Sequence, residues 1–194
     1  MKTFINLASV AAVTLAASAA QGAYVNYNYL ATLASPFQGY PGGAMATFEF
    51  NTITHSLNIE VQFFGLEGVS AEDIHVANIH SDTAVSGTGT AGVSLALTDW
   101  PAASTDGFYN NSFNLLSTAS YSSAYLAAHG GTAASAEIDL LAAMSNGRAY
   151  LSIDLNDHPE GQIGGFIYQD VSVPAPGMLA LIGMCGVLSG RRRR

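Results

Sequence analysis

Residues 57–63 read Leu-Asn-Ile-Glu-Val-Gln-Phe, a run in which apolar and polar side chains alternate without interruption. A period of two residues is typical of a β-strand with one face in a core and the other in water. Residues 46–50, Ala-Thr-Phe-Glu-Phe, alternate in the same way just upstream. Because the intervening residues 51–56 are polar, we predict that the two runs form a hairpin of antiparallel strands.

Other stretches extend this β pattern towards both ends of the chain. Tyrosines favour a strand over 24–33, alternation favours one over 149–155, and further strands are predicted over 93–97 and 163–173. Residues 98–120 show little periodicity, and we expect a long loop or an insertion there. About seven strands with few helices predict a mainly β fold, an antiparallel β-sandwich of Greek-key or immunoglobulin-like type with one or two short helices.

Two helices are predicted between the middle and the last strands. Residues 121–129 end at a pair of glycines, which commonly terminate a helix. Residues 136–144 form the second candidate. We expect one stripe of the second helix to face the core, namely Ile138, Leu141 and Met144.

Charge is distributed unevenly along the chain. All 14 acidic residues fall between residues 24 and 171, where Arg148 is the only Lys or Arg, so this region carries a net charge of −13 with neutral histidines. Such a region should repel nucleic acid and anionic lipid, since it lacks a basic patch that could bind phosphate. The single cysteine, Cys185, lies outside the region, which therefore contains no intramolecular disulfide.

Both ends of the chain have the composition of targeting segments. Residues 1–23 combine an early Lys2, an apolar stretch and small residues, which predicts a secretory signal peptide. Residues 172–194 contain a Val-Pro-Ala-Pro motif, an apolar run over 178–188 and four terminal arginines. About 20 apolar residues are needed to cross a bilayer, so this run is marginal as a permanent anchor. The domain between the two ends is expected to span residues 24–171.

The tail resembles the PEP-CTERM sorting signal of Gram-negative bacteria, with Ala175 where that signal usually has Glu. The resemblance implies a short transmembrane helix held transiently in the inner membrane, and removal of the tail by an exosortase-type transpeptidase. With signal peptidase acting at the other end, the product would reach the cell envelope, the cell surface or the extracellular matrix. The predicted sorting residues are Val173, Pro174, Ala175, Pro176, Arg191, Arg192, Arg193 and Arg194.

The domain between the two ends resembles the CHRD domain, a module of chordin and of many secreted bacterial proteins. The resemblance covers about residues 29–168 and rests on motifs in a fixed order. These are a Thr-Phe-Glu-Phe strand with its hairpin, the segment Ala77-Asn-Ile-His80, a strand ending at Asp154 and the turn His158-Pro-Glu-Gly-Gln. At two positions where the family has histidines, this chain has Asn78 and Asp154.

Histidines and carboxylates are concentrated in two segments, residues 73–82 and 154–160, which would make a divalent-metal site if the fold brought them together. The candidate ligands are His80, Asn78, Asp154 and His158. The oxygen donors of Asn78 and Asp154 would favour a hard cation such as calcium. Alternation along the late strand predicts that Ser152 and Asp154 face away from the core and that Asp154 is accessible.

Enzyme motifs are missing from the sequence. There is no Gly-x-Ser-x-Gly elbow, no nucleotide-binding glycine fingerprint, and no cysteine nucleophile between residues 24 and 171. We therefore expect a secreted or cell-surface binding or structural module without catalytic activity and without a cofactor. The alternative is an extracellular protein that depends on a divalent metal, either a calcium-stabilised adhesin or a small metalloenzyme.

Overall fold

The two alternating runs form the predicted hairpin, in a computed structural model that describes residues 26–34, 42–66, 75–155 and 158–170. Strands β2 (Gly43–Asn51) and β3 (Ser56–Phe64) pair antiparallel along their full length. Alternate side chains of β3 are fully buried while those between them are exposed. The buried ones are Leu57, Ile59, Val61 and Phe63.

Seven further strands in the described residues join this hairpin in one antiparallel sheet. They are β1 (Asn26–Ala34), β4 (His75–Ser81), β5 (Val93–Ala96), β6 (Gly107–Asn114), β7 (Ala149–Leu155), β8 (His158–Phe166) and β9 (Tyr168–Gln169). The order across the sheet is β5-β4-β7-β8-β1-β2-β3-β6, with β9 also beside β1. The prediction of a mainly β, antiparallel fold with two short helices is confirmed.

The sheet has two halves that meet at a narrow joint. We call β5-β4-β7-β8 the β4–β7 wing and β1-β2-β3-β6 the β2–β3 wing. Among the described residues, β8 pairs with β1 at the joint through Ala34 and Gly164, and β9 adds two more pairs to β1. Buried side chains from both wings belong to one hydrophobic core, so the curled sheet encloses its apolar face in the manner of a sandwich or half-barrel.

A glycine allows the two wings to approach closely at the joint. A β carbon at Gly165 would collide with the backbone carbonyl oxygen of Thr32 on β1. At Gly164, by contrast, a β carbon would make an ordinary contact of 3.6 Å with the carbonyl oxygen of Leu151. The path from one wing to the other therefore requires the absence of a side chain at residue 165.

Both predicted helices are present, with small changes at their ends. Helix α1 (Ser123–Ala128) follows Ser122, whose side chain accepts a hydrogen bond from the Tyr125 amide. Helix α2 (Ala133–Ser145) begins three residues earlier than predicted, after Thr132. Its contacts with β4, β7 and β9 place it against the sheet.

The predicted core-facing stripe of α2 is wrong in part. Met144 is buried and Leu141 is partly buried, but the Ile138 side chain is 68% exposed. Residues spaced by three fall about 60° short of a full turn at each step, so such a stripe winds away from the core. The buried face follows the mixed three-and-four spacing of Ala133, Ala136, Glu137, Leu140, Ala143 and Met144.

The predicted loop over residues 98–120 contains a strand instead. β6 pairs with β3 from Gly107 to Asn114, and a short 3-10 helix follows at Thr118–Ser120. Tyr109 and Phe113 are buried, but the inward position between them is occupied by a half-buried Asn111. This polar residue interrupts the alternation from which a strand is recognised.

No helix in the described part of the chain is long and apolar enough to span a membrane. The predicted signal peptide (1–23) and sorting tail (172–194) lie outside the described residues. The sheet, from the start of β1 to the end of β9, lies within the predicted domain limits of 24–171.

Candidate functional site

The predicted ligand segments meet on the outer face of the β4–β7 wing. β4 and β7 pair so that Asn78 lies opposite Ser152 and His80 opposite Tyr150. Since alternate residues point to opposite faces of a strand, the polar side chains share the outer face while Ile79 and Leu151 enter the core. We call these five residues the His80 cluster: Asn78, His80, Tyr150, Ser152 and Asp154.

Ser152 links two titratable members of the cluster, His80 and Asp154. The Ser152 hydroxyl donates to Asp154 Oδ2 at 3.0 Å, and Ser152 Oγ also lies 3.0 Å from His80 Nε2. Asn78 Nδ2 also donates to Asp154 Oδ2, at 3.2 Å. His80 Nδ1 lies 3.0 Å from the carbonyl oxygen of Ala91, which can only accept.

The His80 ring is fixed in its plane by aromatic neighbours. Tyr150 stacks on it with ring centroids 4.6 Å apart and an interplanar angle of 2°. The Tyr150 hydroxyl in turn donates to the carbonyl oxygen of Ala91 at 3.3 Å. Phe166 lies on β8, the strand on the other side of β7, and its ring centroid is 5.5 Å from that of Tyr150. These contacts hold the imidazole rigidly between the loop before β5 and strand β7.

The prediction that Asp154 is accessible is wrong. It faces away from the core as expected, but its exposed fraction is only 9%, and Ser152 is buried as well. β7 lies between β4 and β8, so side chains on its outer face pack against neighbours on adjacent strands. Burial raises the pKa of Asp154 above its usual value, and the hydrogen bonds from Ser152 and Asn78 and the charge of His80 oppose that rise.

Three of the four predicted metal ligands come together, but their side chains already make hydrogen bonds within the cluster. Asn78 presents its amide nitrogen to Asp154, and His80 Nε2 is occupied by Ser152. For His158 the structure describes the backbone, which pairs with Leu155, and not the side chain. Nowhere in the described ranges do three His, Cys, Asp or Glu side chains group as metal ligands. The divalent-metal site and its four ligands therefore stay a prediction.

The remaining histidines contact groups that the sequence did not connect with them. His75 is buried and its Nδ1 lies 3.1 Å from the carbonyl oxygen of Ala102. His55, in the turn of the hairpin, lies 2.8 Å from Glu137 on α2, so this pair joins the helix to the β2–β3 wing. Because 82 residues separate the two partners, no local pattern signals the contact.

Comparison with known families and structures gives one match. The family described as the CHRD domain matches residues 29–167. The match runs from β1 to the end of β8, so it includes both wings, both helices and the His80 cluster. No curated protein and no solved structure matches the chain.

Proposed function

Because the chain belongs to the CHRD domain family, we propose that it is a non-catalytic binding or structural module of the cell exterior. In this proposal the signal peptide directs export, and an exosortase-type transpeptidase removes the tail. The proposal rests on the composition of residues 1–23 and 172–194 and on a domain that is acidic and free of cysteine. A net negative surface keeps a protein soluble and disfavours nucleic acid and anionic membranes as partners.

The observation that supports a non-catalytic role most directly is the connectivity of the His80 cluster. In a hydrolase triad, serine gives its proton to histidine, and histidine is oriented by aspartate. Here Ser152 donates to Asp154, while His80 Nδ1 faces the Ala91 carbonyl. Ser152 is also buried. The hydroxyl is thus held in a hydrogen bond to a carboxylate, in an orientation that does not activate it as a nucleophile.

In this proposal, the hydrogen bonds of the His80 cluster keep the β4–β7 wing rigid. Apart from the bond from Ser152 to Asp154 within β7, its hydrogen bonds connect β4, β7 and the loop before β5, so the network holds this edge of the wing together. Fully satisfied polar networks fix one arrangement of a fold, and a missing member leaves buried polar atoms without partners. The outer surfaces of the domain are then presented on a stiff sheet.

Sorting is tested with variants of the motif expressed in cells that possess an exosortase-type enzyme. Replacing Pro174 and Pro176 together by Ala should leave export intact and block removal of the tail. The neighbouring change Ser172→Ala should be processed like the parent protein. Mass spectrometry of each exported product measures the outcome. Equal tail removal in the proline variant and the control would contradict the proposed sorting.

Metal dependence is the second candidate, favoured by the convergence of Asn78, His80 and Asp154 on one face of an acidic domain. Binding would require His80 to leave Ser152 and the Asn78 amide to turn its oxygen towards the ion. Metal analysis of the purified protein, with melting curves in calcium, zinc and copper, separates the two candidates. Stoichiometric metal that is lost in His80→Ala would establish this second role, and no metal with no melting shift would exclude it.

A further inference from the structure

A groove lies on the solvent-facing side of the β2–β3 wing, away from the His80 cluster. Its volume is about 490 Å³, within the range of small-ligand sites in proteins. Two rows of outward side chains cross the four strands at the register of the sheet and line most of it. One row is Leu30, Thr47, Glu60 and Asn110, and the next is Asn28, Glu49, Asn58 and Ser112; all of them except Ser112 line the groove. Asp170, just after β9, contributes to the lining.

Two carboxylates of the groove, Glu49 and Glu60, are held in position by asparagine side chains before any ligand arrives. Asn110 Nδ2 donates to Glu60 Oε1 at 2.9 Å, and Asn26 Nδ2 donates to Glu49 Oε1 at 2.8 Å. Each bond orients a carboxylate while using one of its two oxygens. Because all four residues lie on paired strands, a ligand would pay little to order them.

The groove offers both hydrogen-bond donors and acceptors, which narrows the class of ligand. Carboxylates at Glu49, Glu60 and Asp170 accept, whereas the amides of Asn28 and Asn58 can also donate. A metal ion would use only the acceptors. A hydroxyl group uses both, and neighbouring hydroxyls of a sugar match polar side chains on strands about 4.8 Å apart.

The negative charge of the groove excludes anionic ligands, even those that also carry hydroxyl groups. No Lys or Arg is among the residues that line the groove, and its carboxylates would repel phosphate, sulfate or uronic acids. Arg148, the single basic side chain in the described ranges, pairs with Asp82 at 3.0 Å on the other wing. A neutral ligand rich in hydroxyls fits this surface better than an acidic one.

Apolar side chains adjoin the polar rows on the same face. Met45 and Phe108 pair on either side of Gln62, and Phe64 follows two residues later on β3. All three apolar side chains are more than half exposed. Exposed aromatic and thioether groups pack against the C–H faces of sugar rings, so the apolar end would support a ring whose hydroxyls reach the polar rows.

We propose that this face binds a neutral glycan chain laid across β1, β2, β3 and β6. Its hydroxyls hydrogen-bond to Glu49, Glu60 and the asparagine amides, and a sugar ring packs against Phe108 and Met45. The inference specifies the ligand of the binding module proposed above and rests on that role. It does not involve the His80 cluster, which lies on the other wing.

The test measures binding by calorimetry, with protein purified from cells that express the full chain. The probes are four neutral hexasaccharides (of cellulose, mannan, laminarin and chitin), polygalacturonate as an anion, and an oligolysine peptide as a cation. At least one neutral hexasaccharide should bind, and polygalacturonate should not. Glu60→Gln and Phe108→Ala should each weaken that binding about tenfold, because each removes a direct contact.

The matched control is Asp139→Asn, which removes the same charge from the exposed surface of α2 and should bind like the parent. Melting curves check that each variant is folded. Failure of all four hexasaccharides, equal affinity in Glu60→Gln and Asp139→Asn, or binding of oligolysine alone would each overturn the proposal. Export and processing are measured separately by mass spectrometry, so an exported, processed protein that binds no glycan contradicts this inference and leaves the proposed function standing.

Discussion

Asp154 shows how one buried carboxyl links the fold to pH. Its folded-state pKa is raised, chiefly by burial, so the folded protein holds this proton more tightly than the unfolded chain does. For this group, stability is therefore lost as pH rises through the folded pKa and regained as pH falls towards the ordinary aspartate pKa of 3.8. Every other carboxylate adds its own pH dependence, so only a comparison between variants isolates the effect.

We expect Asp154→Asn to remove this contribution. The difference in unfolding free energy, variant minus parent, should be larger at pH 7 than near pH 4, because only the parent must bury a charge at the higher pH. Urea denaturation across this range measures it. Asp99→Asn, at an exposed site in the turn after β5, serves as the control. A difference that shrinks as pH rises would contradict the account of Asp154.

Ser152 makes two hydrogen bonds, and its loss should be costly for a small change in volume. In Ser152→Ala, both Asp154 and His80 lose a buried partner, so we expect a destabilisation of about 1–3 kcal/mol. Ser123→Ala, in the first turn of α1, should change stability by less than about 0.5 kcal/mol. Thermal or urea unfolding measures the change in stability of both variants. Equal stability of the two variants would show that the network contributes nothing.

At the scale of elements, the sequence was informative where a face of a strand was uniformly apolar and uninformative where it was not. The alternation of residues 57–63 was enough to predict β3 and its hairpin. β6 was missed because Asn111 occupies an inward position, and the exposed Ile138 was misassigned because helical spacing was extended by threes. The burial of Asp154 depends on β7 lying between two other strands, which no local pattern contains.

The joint between the wings gives a sharp prediction for β8. Gly165→Ala places a methyl group against the Thr32 carbonyl, and separating the two backbones should cost about 3 kcal/mol or more. Gly164→Ala, one residue away, meets only an ordinary contact and should cost less than about 1 kcal/mol. Denaturant unfolding compares them. Similar losses in both variants would mean that the wings do not depend on this close approach.

Helix α2 offers a second comparison at this scale. Leu140 is fully buried, so Leu140→Ala should destabilise the protein by about 2–5 kcal/mol. Ile138→Ala, on the exposed side, should cost less than about 1 kcal/mol. The same unfolding measurement tests both. A larger loss for Ile138→Ala would restore the stripe that the sequence predicted and contradict the observed face of the helix.

At the scale of the whole molecule, charge and polar side chains are distributed unevenly over the chain. The basic residues other than Arg148 lie in the end segments, and the domain between them is acidic. Within the domain, the β4–β7 wing carries a closed polar network and the β2–β3 wing carries an open polar groove. Sequence patterns were sufficient to name the family and three members of the network. They did not reveal the groove, because its rows join residues from four strands whose register only the folded sheet defines.

The central claim is that this chain becomes an exported domain from which both ends have been removed. The most direct measurement is the intact mass of the protein recovered from outside cells that express the full chain. We predict a product that lacks residues 1–23 at its start and the terminal Arg191–Arg194 cluster at its end. An exported product that still carries residues 1–23 or Arg191–Arg194, or a full-length protein of 194 residues found only inside the cells, would contradict this prediction.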